Sequence, residues 1–123
     1  MKVNNVLATV AVTDFEKSET WYGRLLGRPA DRHPAPSCAE WQVAEGATIQ
    51  VLQTDAFTDN KDRSGWGSVA LVVDSLDDVL AGLKAREVPA EPVEVVPGFV
   101  KSSAVKDPDG NVFTFVESIS GDT

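Results

Sequence analysis

Apolar side chains fall on every second position of Val6–Val12. Val6, Ala8, Val10 and Val12 share one side, and Leu7, Thr9 and Ala11 the other, which predicts a β-strand with one strongly apolar face. Thr13-Asp14 then offers a helix N-cap, with Glu16 in the first turn, where a carboxylate suits the helix dipole. Phe15, Ser18, Trp21, Tyr22, Leu25 and Leu26 recur at helical spacing, and Gly27 ahead of Pro29 stops the helix. Two extended runs, Cys38–Ala44 and Thr48–Leu52, flank Glu45-Gly46, which reads as a hairpin. The polar stretch 54–64 has no periodicity and predicts a surface loop or linker.

Beyond it the pattern restarts. Trp66–Val73 reads as a strand, and Asp74-Ser75 caps a helix carrying Leu76, Val79, Leu80 and Leu83. Pro89 ends that segment. Extended runs follow at Pro92–Val96, Phe99–Lys106 and Val112–Ser118, the last two joined by a tight turn at Asp107-Pro108-Asp109-Gly110. Val12-Thr13-Asp14 matches Val73-Asp74-Ser75, and Pro29-Ala30-Asp31 matches Pro89-Ala90-Glu91, an offset of about sixty residues. The chain therefore reads as α+β, an internal duplication of a βαβββ unit. Its expected division is one domain over 1–123, with module 1 at about 1–54, a linker at about 55–65 and module 2 at about 66–119.

Composition narrows the chemistry. The 123 residues hold one His and one Cys, with 11 Lys+Arg against 19 Asp+Glu for a net charge of −8. One Cys precludes an intrachain disulfide and a multi-Cys metal site, and one His leaves His33 as the single imidazole for acid–base work. Scattered, outnumbered cations argue against nucleic acid. No apolar run approaches the roughly 20 residues of a membrane span, and the short Val6–Val12 run reads as a strand rather than a signal peptide, so a cytoplasmic setting is expected.

The stretches VAVTDFEKSETWYGRLLG (Val10–Gly27), VALVVDSLDDVLAGL (Val69–Leu83) and KDPDGNVFTFVE (Lys106–Glu117), in this order and spacing, resemble the vicinal oxygen chelate superfamily. This is also called the glyoxalase/bleomycin resistance/dioxygenase family, and the likeness covers essentially the whole chain. It implies two βαβββ modules forming a curved mixed sheet around a cavity, often completed by a homodimer. Enzymes of the family usually hold a divalent metal with one ligand from each of four strands. Carried onto this chain, those positions fall on Leu7, Gln50, Ser68 and Thr114. Leu, a neutral amide and two hydroxyls make a poor shell for a divalent cation, so no metal and no cofactor are expected.

Alternation assigns the sheet faces. With Val6, Ala8, Val10, Val12, Ile49, Val51, Val69, Leu71, Val73, Phe113 and Phe115 against the helices, the opposite face is expected to carry the ligand site. Leu7, Thr9, Trp41, Thr48, Gln50, Trp66, Ser68, Phe99, Lys101, Ser103 and Thr114 are its candidate binding residues, a largely apolar set with a few hydrogen-bonding groups. Trp21 reads as core, His33 as a surface-loop residue, Cys38 as a small buried residue, and Asp107 and Asp109 as turn residues.

This composition of the face favours a metal-independent protein that sequesters a planar aromatic small molecule, as the family's antibiotic-resistance members do. The acidic balance favours a cationic one. Two other readings stay open: a metal-dependent lyase, isomerase or dioxygenase of the same superfamily with an atypical site, and an interaction module with a vestigial cavity.

Overall fold

The computed structural model describes residues 1–56 and 61–120. Eight strands and two α-helices follow one another as β1 (Val6–Val12), α1 (Phe15–Leu26), β2 (Arg32–Ala35), β3 (Cys38–Ala44), β4 (Ala47–Gln53), β5 (Ser68–Val72), α2 (Leu76–Ala85), β6 (Glu94–Val96), β7 (Val100–Lys106) and β8 (Val112–Ser118). The strands form two mixed four-stranded sheets, ordered β1-β4-β3-β2 and β5-β8-β7-β6. In each, the opening strand runs parallel to the last, and the remaining pairs are antiparallel. The two halves thus repeat one βαβββ topology, as the sixty-residue offset predicts. Part of the predicted linker, 57–60, lies outside the described residues.

Local chemistry sets the helix ends. Asp14 accepts a hydrogen bond from the Lys17 N–H at 3.2 Å, and Gly27 closes α1 at φ 78°, the left-handed conformation that residues other than glycine resist. Ser75 accepts from the Asp78 N–H at 3.1 Å, and the Glu117 carboxylate takes the Leu76 N–H at 2.8 Å, which satisfies two orphan donors at the start of α2.

One core spans both modules. Val10, Val12, Ile49 and Val51 of the first sheet join Val105, Phe113 and Phe115 of the second, with Tyr22, Leu25, Leu76 and Leu83 from the helices. Tyr22 lies at the centre, edge-on to Trp21 at 4.9 Å and to Phe113 at 5.4 Å. Trp21 packs partly buried against this cluster.

Polar contacts lock the modules where they meet. The Tyr22 hydroxyl donates to Asp107 at 2.6 Å, and buried Asn111 donates to the Ala11 carbonyl at 2.9 Å and to Asp107 at 2.8 Å. The Asn111 side-chain oxygen accepts the Gly67 N–H at 2.7 Å, while Asp109 accepts from the Thr13 hydroxyl at 2.6 Å. Asp107 and Asp109 therefore serve the turn, as expected, and also fasten it to the other module. A Cβ on Gly67 would stand 2.8 Å from both Asn111 and Val10, so the close approach needs glycine here. At the far ends of the helices Arg24 donates to the carbonyls of Arg86 and Glu87, and Arg86 returns bonds to those of Arg24 and Leu25. Each guanidinium caps the other helix's C-terminus.

Two strands face the other way from the sequence reading. A hairpin closed at Glu45-Gly46 with regular pairing would set Trp41 opposite Gln50. Instead the register shifts between Gln42 and Ala44, so that Glu40 pairs with Gln50 and Trp41 with Ile49. This bulge at Val43 turns Trp41 to the helix side, where it is 0% exposed and its indole N–H donates to the Arg28 carbonyl at 2.9 Å. In the second module the loop 107–111 holds one residue more than the four-residue turn read from the sequence, because the Asp107 N–H bonds the Asn111 carbonyl and Lys106 pairs with Val112. Ser103 and Lys101 therefore share the helix side with Phe115 and Glu117. Phe99 lies in the turn before β7, 61% exposed, and off the sheet. Trp41, Phe99, Lys101 and Ser103 are thus removed from the helix-free face.

Candidate functional site

The helix-free face, hereafter the open face, collects alternate residues of each strand. β1 contributes Leu7 and Thr9, and β4 contributes Thr48, Gln50 and Leu52. Cys38, Glu40 and Gln42 come from β3, and Ser68, Ala70 and Val72 from β5. β8 adds Val112, Thr114 and Val116, opposite Lys106, Ala104 and Ser102 of β7. Of the sequence candidates, Leu7, Thr9, Thr48, Gln50, Ser68 and Thr114 lie on this face. Trp66 precedes β5 and stands 85% exposed at the junction of the modules. It lines a hollow of about 210 Å³ with Thr9, Ala11, Arg63 and Gly67. A second hollow, about 490 Å³, runs along β6 and β7 and includes Glu94, Ser102, Lys106 and Thr114.

A continuous polar ladder crosses the first sheet. Thr9 donates to the Gln50 side-chain oxygen at 2.9 Å, and Gln50 donates to Glu40 Oε2 at 2.8 Å. Arg32 Nε donates to Glu40 Oε1 at 2.7 Å. Each strand of β1-β4-β3-β2 supplies one member, in register. Thr48 is buried beside it under Asn5, whose amide donates to its hydroxyl at 3.0 Å. Burial and the nearby Glu40 charge push the Cys38 thiol up, so at neutral pH it is a packed thiol rather than a nucleophile. His33 pairs with Glu19 on the surface, away from the open face. Asp31, beside the ladder, is held below the usual carboxylate range, first by the Gln42 N–H and then by Arg28.

Glu40 and Arg32 are the site residues that alternation alone misplaced or passed over. One signal did point to Glu40. In β3 the series Ala39, Trp41 and Val43 is more apolar than Cys38, Glu40 and Gln42, and the more apolar series belongs on the core side.

The four metal positions of the resembled enzymes occupy equivalent places in the two modules. Leu7 and Ser68 lie on the opening strands, and Gln50 and Thr114 two residues beyond their register partners on β4 and β8. They do not fit a divalent cation. Leu7 carries no donor atom, both ends of the Gln50 amide are spent on Thr9 and Glu40, and the two hydroxyls bring no charge. Among the described residues no three His, Cys, Asp or Glu side chains converge on a metal-sized site.

Comparison with known proteins agrees with this architecture. The crystal structure of a glyoxalase/bleomycin resistance protein from Catenulispora acidiphila DSM 44928 is 33% identical over 92% of this chain and 96% of its own, with a TM-score of 0.82. TnmS3, an antibiotic binding protein from Streptomyces sp. CB03234, is 21% identical over 96% of each chain, with a TM-score of 0.73. A lactoylglutathione lyase from Agrobacterium tumefaciens is 16% identical over 96% of each chain, with a TM-score of 0.75. At such identities the last two show the fold alone, and one binds where the other catalyses. No protein of curated function matches. The model of the Glyoxalase/Bleomycin resistance protein/Dioxygenase superfamily matches residues 3–115, and the chain belongs to that superfamily.

Proposed function

We propose that this protein binds a planar aromatic small molecule on its open face, independently of any metal ion. The observation that supports the reading is the donor set: Leu7, Gln50, Ser68 and Thr114 are the positions onto which the family resemblance carries the metal ligands, and the one amide among them is already engaged at both ends. What the face offers is apolar surface. Leu7, Trp66 and Val72 are large apolar side chains left exposed on it or at its edge, and such surface on a folded chain marks a place where something else sits. An aromatic ligand against Trp66 covers part of it, and a second copy of the chain, making a homodimer, covers the rest.

Fluorescence titration of chelator-treated protein with a panel of planar aromatic compounds, cationic, neutral and anionic, tests the reading. Saturable binding unchanged by added chelator is the expected result; no saturation by any compound overturns it. The alternative is a lyase, isomerase or dioxygenase with an atypical metal site. Its one support is Glu40, a buried carboxylate on this face, although both its oxygens are occupied. A stoichiometric metal in protein purified without chelator decides for that alternative.

A further inference from the structure

We propose that Arg32 selects the ligand. Its guanidinium, fixed by Glu40, presents its terminal nitrogens as a fork for the carboxylate of an aromatic acid on the open face. This rests on the reading of that face as a ligand site.

The ladder is directional. Thr9 fixes the Gln50 amide, whose N–H donates to Glu40, and Glu40 uses its other oxygen on Arg32 Nε. Glu40 has no oxygen left unengaged, and its side chain is 7% exposed against 47% for Arg32. The unspent capacity lies at the far end. Arg32 contributes only Nε to the ladder, and among the described residues its two terminal nitrogens make no hydrogen bond. Those nitrogens form the planar edge that matches a carboxylate with two parallel bonds.

Stability does not account for this arrangement. A half-exposed Arg–Glu pair adds little net stability and burying the Glu40 carboxylate costs desolvation, while the residues of β3 that share its face, Cys38 and Gln42, carry no charge. A ladder that holds one guanidinium in one orientation does account for it, because preorganised donors lose little freedom on binding. The overall charge of −8 pulls toward cations, but through water it is screened beyond about 8 Å at physiological salt. At the outer end of the ladder the contact chemistry is that of the Arg32 guanidinium, with the Asp31 carboxylate within its electrostatic reach. A cation, by contrast, would have to displace Arg32 to reach Glu40.

Three probes with one ring system separate these cases: 2-naphthoate, 2-naphthalenemethanol and 2-naphthylmethylammonium. Each is titrated into the full chain by ligand-observed NMR and calorimetry. The expected order is naphthoate tighter than the alcohol by about tenfold, the scale of a charge-assisted bidentate contact, with the ammonium weakest. Arg32→Met erases the preference of the acid over the alcohol. Arg32→Lys, which keeps the charge without the planar edge, retains only part of it, and so does Glu40→Gln, which frees the guanidinium to reorient. Because Arg32→Met leaves Glu40 buried and unpaired, the double variant Arg32→Met/Glu40→Gln is measured as well; it removes both charges and is checked for folding by circular dichroism. Equal affinity for acid and alcohol, a preference for the ammonium, or a preference surviving in the folded double variant overturns the fork while leaving the ligand face standing. Failure of all three probes to saturate overturns both.

Discussion

Asn111→Ala should be among the most destabilising substitutions of a polar residue in this chain. Asn111 is fully buried, and its amide makes three hydrogen bonds that tie the loop before β8 to β1 and to the segment entering β5. Truncation leaves the Ala11 carbonyl without its side-chain donor, the Gly67 N–H without its acceptor, and Asp107 with one donor fewer. A buried polar group left unsatisfied costs about 1–3 kcal/mol and a lost bond to a carboxylate about 1.5–3 kcal/mol. With the Gly67 N–H only part-buried, the sum is about 3–5 kcal/mol. Total stability for a chain of 123 residues is roughly 6–18 kcal/mol at ~0.05–0.15 kcal/mol per residue. A Tm fall of roughly 10–20 °C follows. Urea unfolding followed by circular dichroism, with calorimetry alongside, measures it, and the m-value should not change. Asn111→Asp retains the acceptor for Gly67 but turns an oxygen toward the Ala11 carbonyl and Asp107, so at neutral pH it should be at least as damaging. A loss below about 1 kcal/mol for Asn111→Ala, or a milder effect for Asn111→Asp, would refute the reasoning.

Tyr22→Phe removes the hydroxyl that donates to Asp107 at 2.6 Å while keeping the ring among Trp21, Trp41 and Phe113. A loss of about 1.5–3 kcal/mol in the same assay is expected, and no change would show that the bond adds nothing net. Asp31 is held below its ordinary value, so its stabilisation is present above the unfolded value near ~3.9 and is lost as pH falls through the folded one. The Tm difference between wild type and Asp31→Asn should therefore shrink on acidification from neutral pH; a difference that grows contradicts the assignment. Trp66→Phe should abolish most of the acrylamide-quenchable emission, since Trp66 is 85% exposed, whereas Trp41, at 0%, should contribute none. Quenching that survives in the Trp66 variant would place the exposed indole elsewhere.

Local interactions made much of this protein legible from its sequence. The strand β1, both helices, the Asp14 and Ser75 caps, the Glu45-Gly46 turn and the repeated module all follow from periodicities and caps that act within a few residues. So does the apolar stripe that becomes the core, and with it the positions of Leu7, Gln50, Ser68 and Thr114. The faces of β3 and β7 were a different matter. A strand repeats every two residues, so one residue gained or lost at a turn exchanges its faces. Which residue is absorbed there is settled by distant partners. Trp41 is drawn inward by Tyr22 and by the Arg28 carbonyl, which leaves Val43 bulged. Asn111 is held in its loop by Ala11 and Gly67 of the other segments. Those contacts join residues far apart in the chain, so the apolar bias of Ala39, Trp41 and Val43 hints at the faces of β3 but only the tertiary structure sets the bulge and pairs Arg32 with Glu40 on the open face.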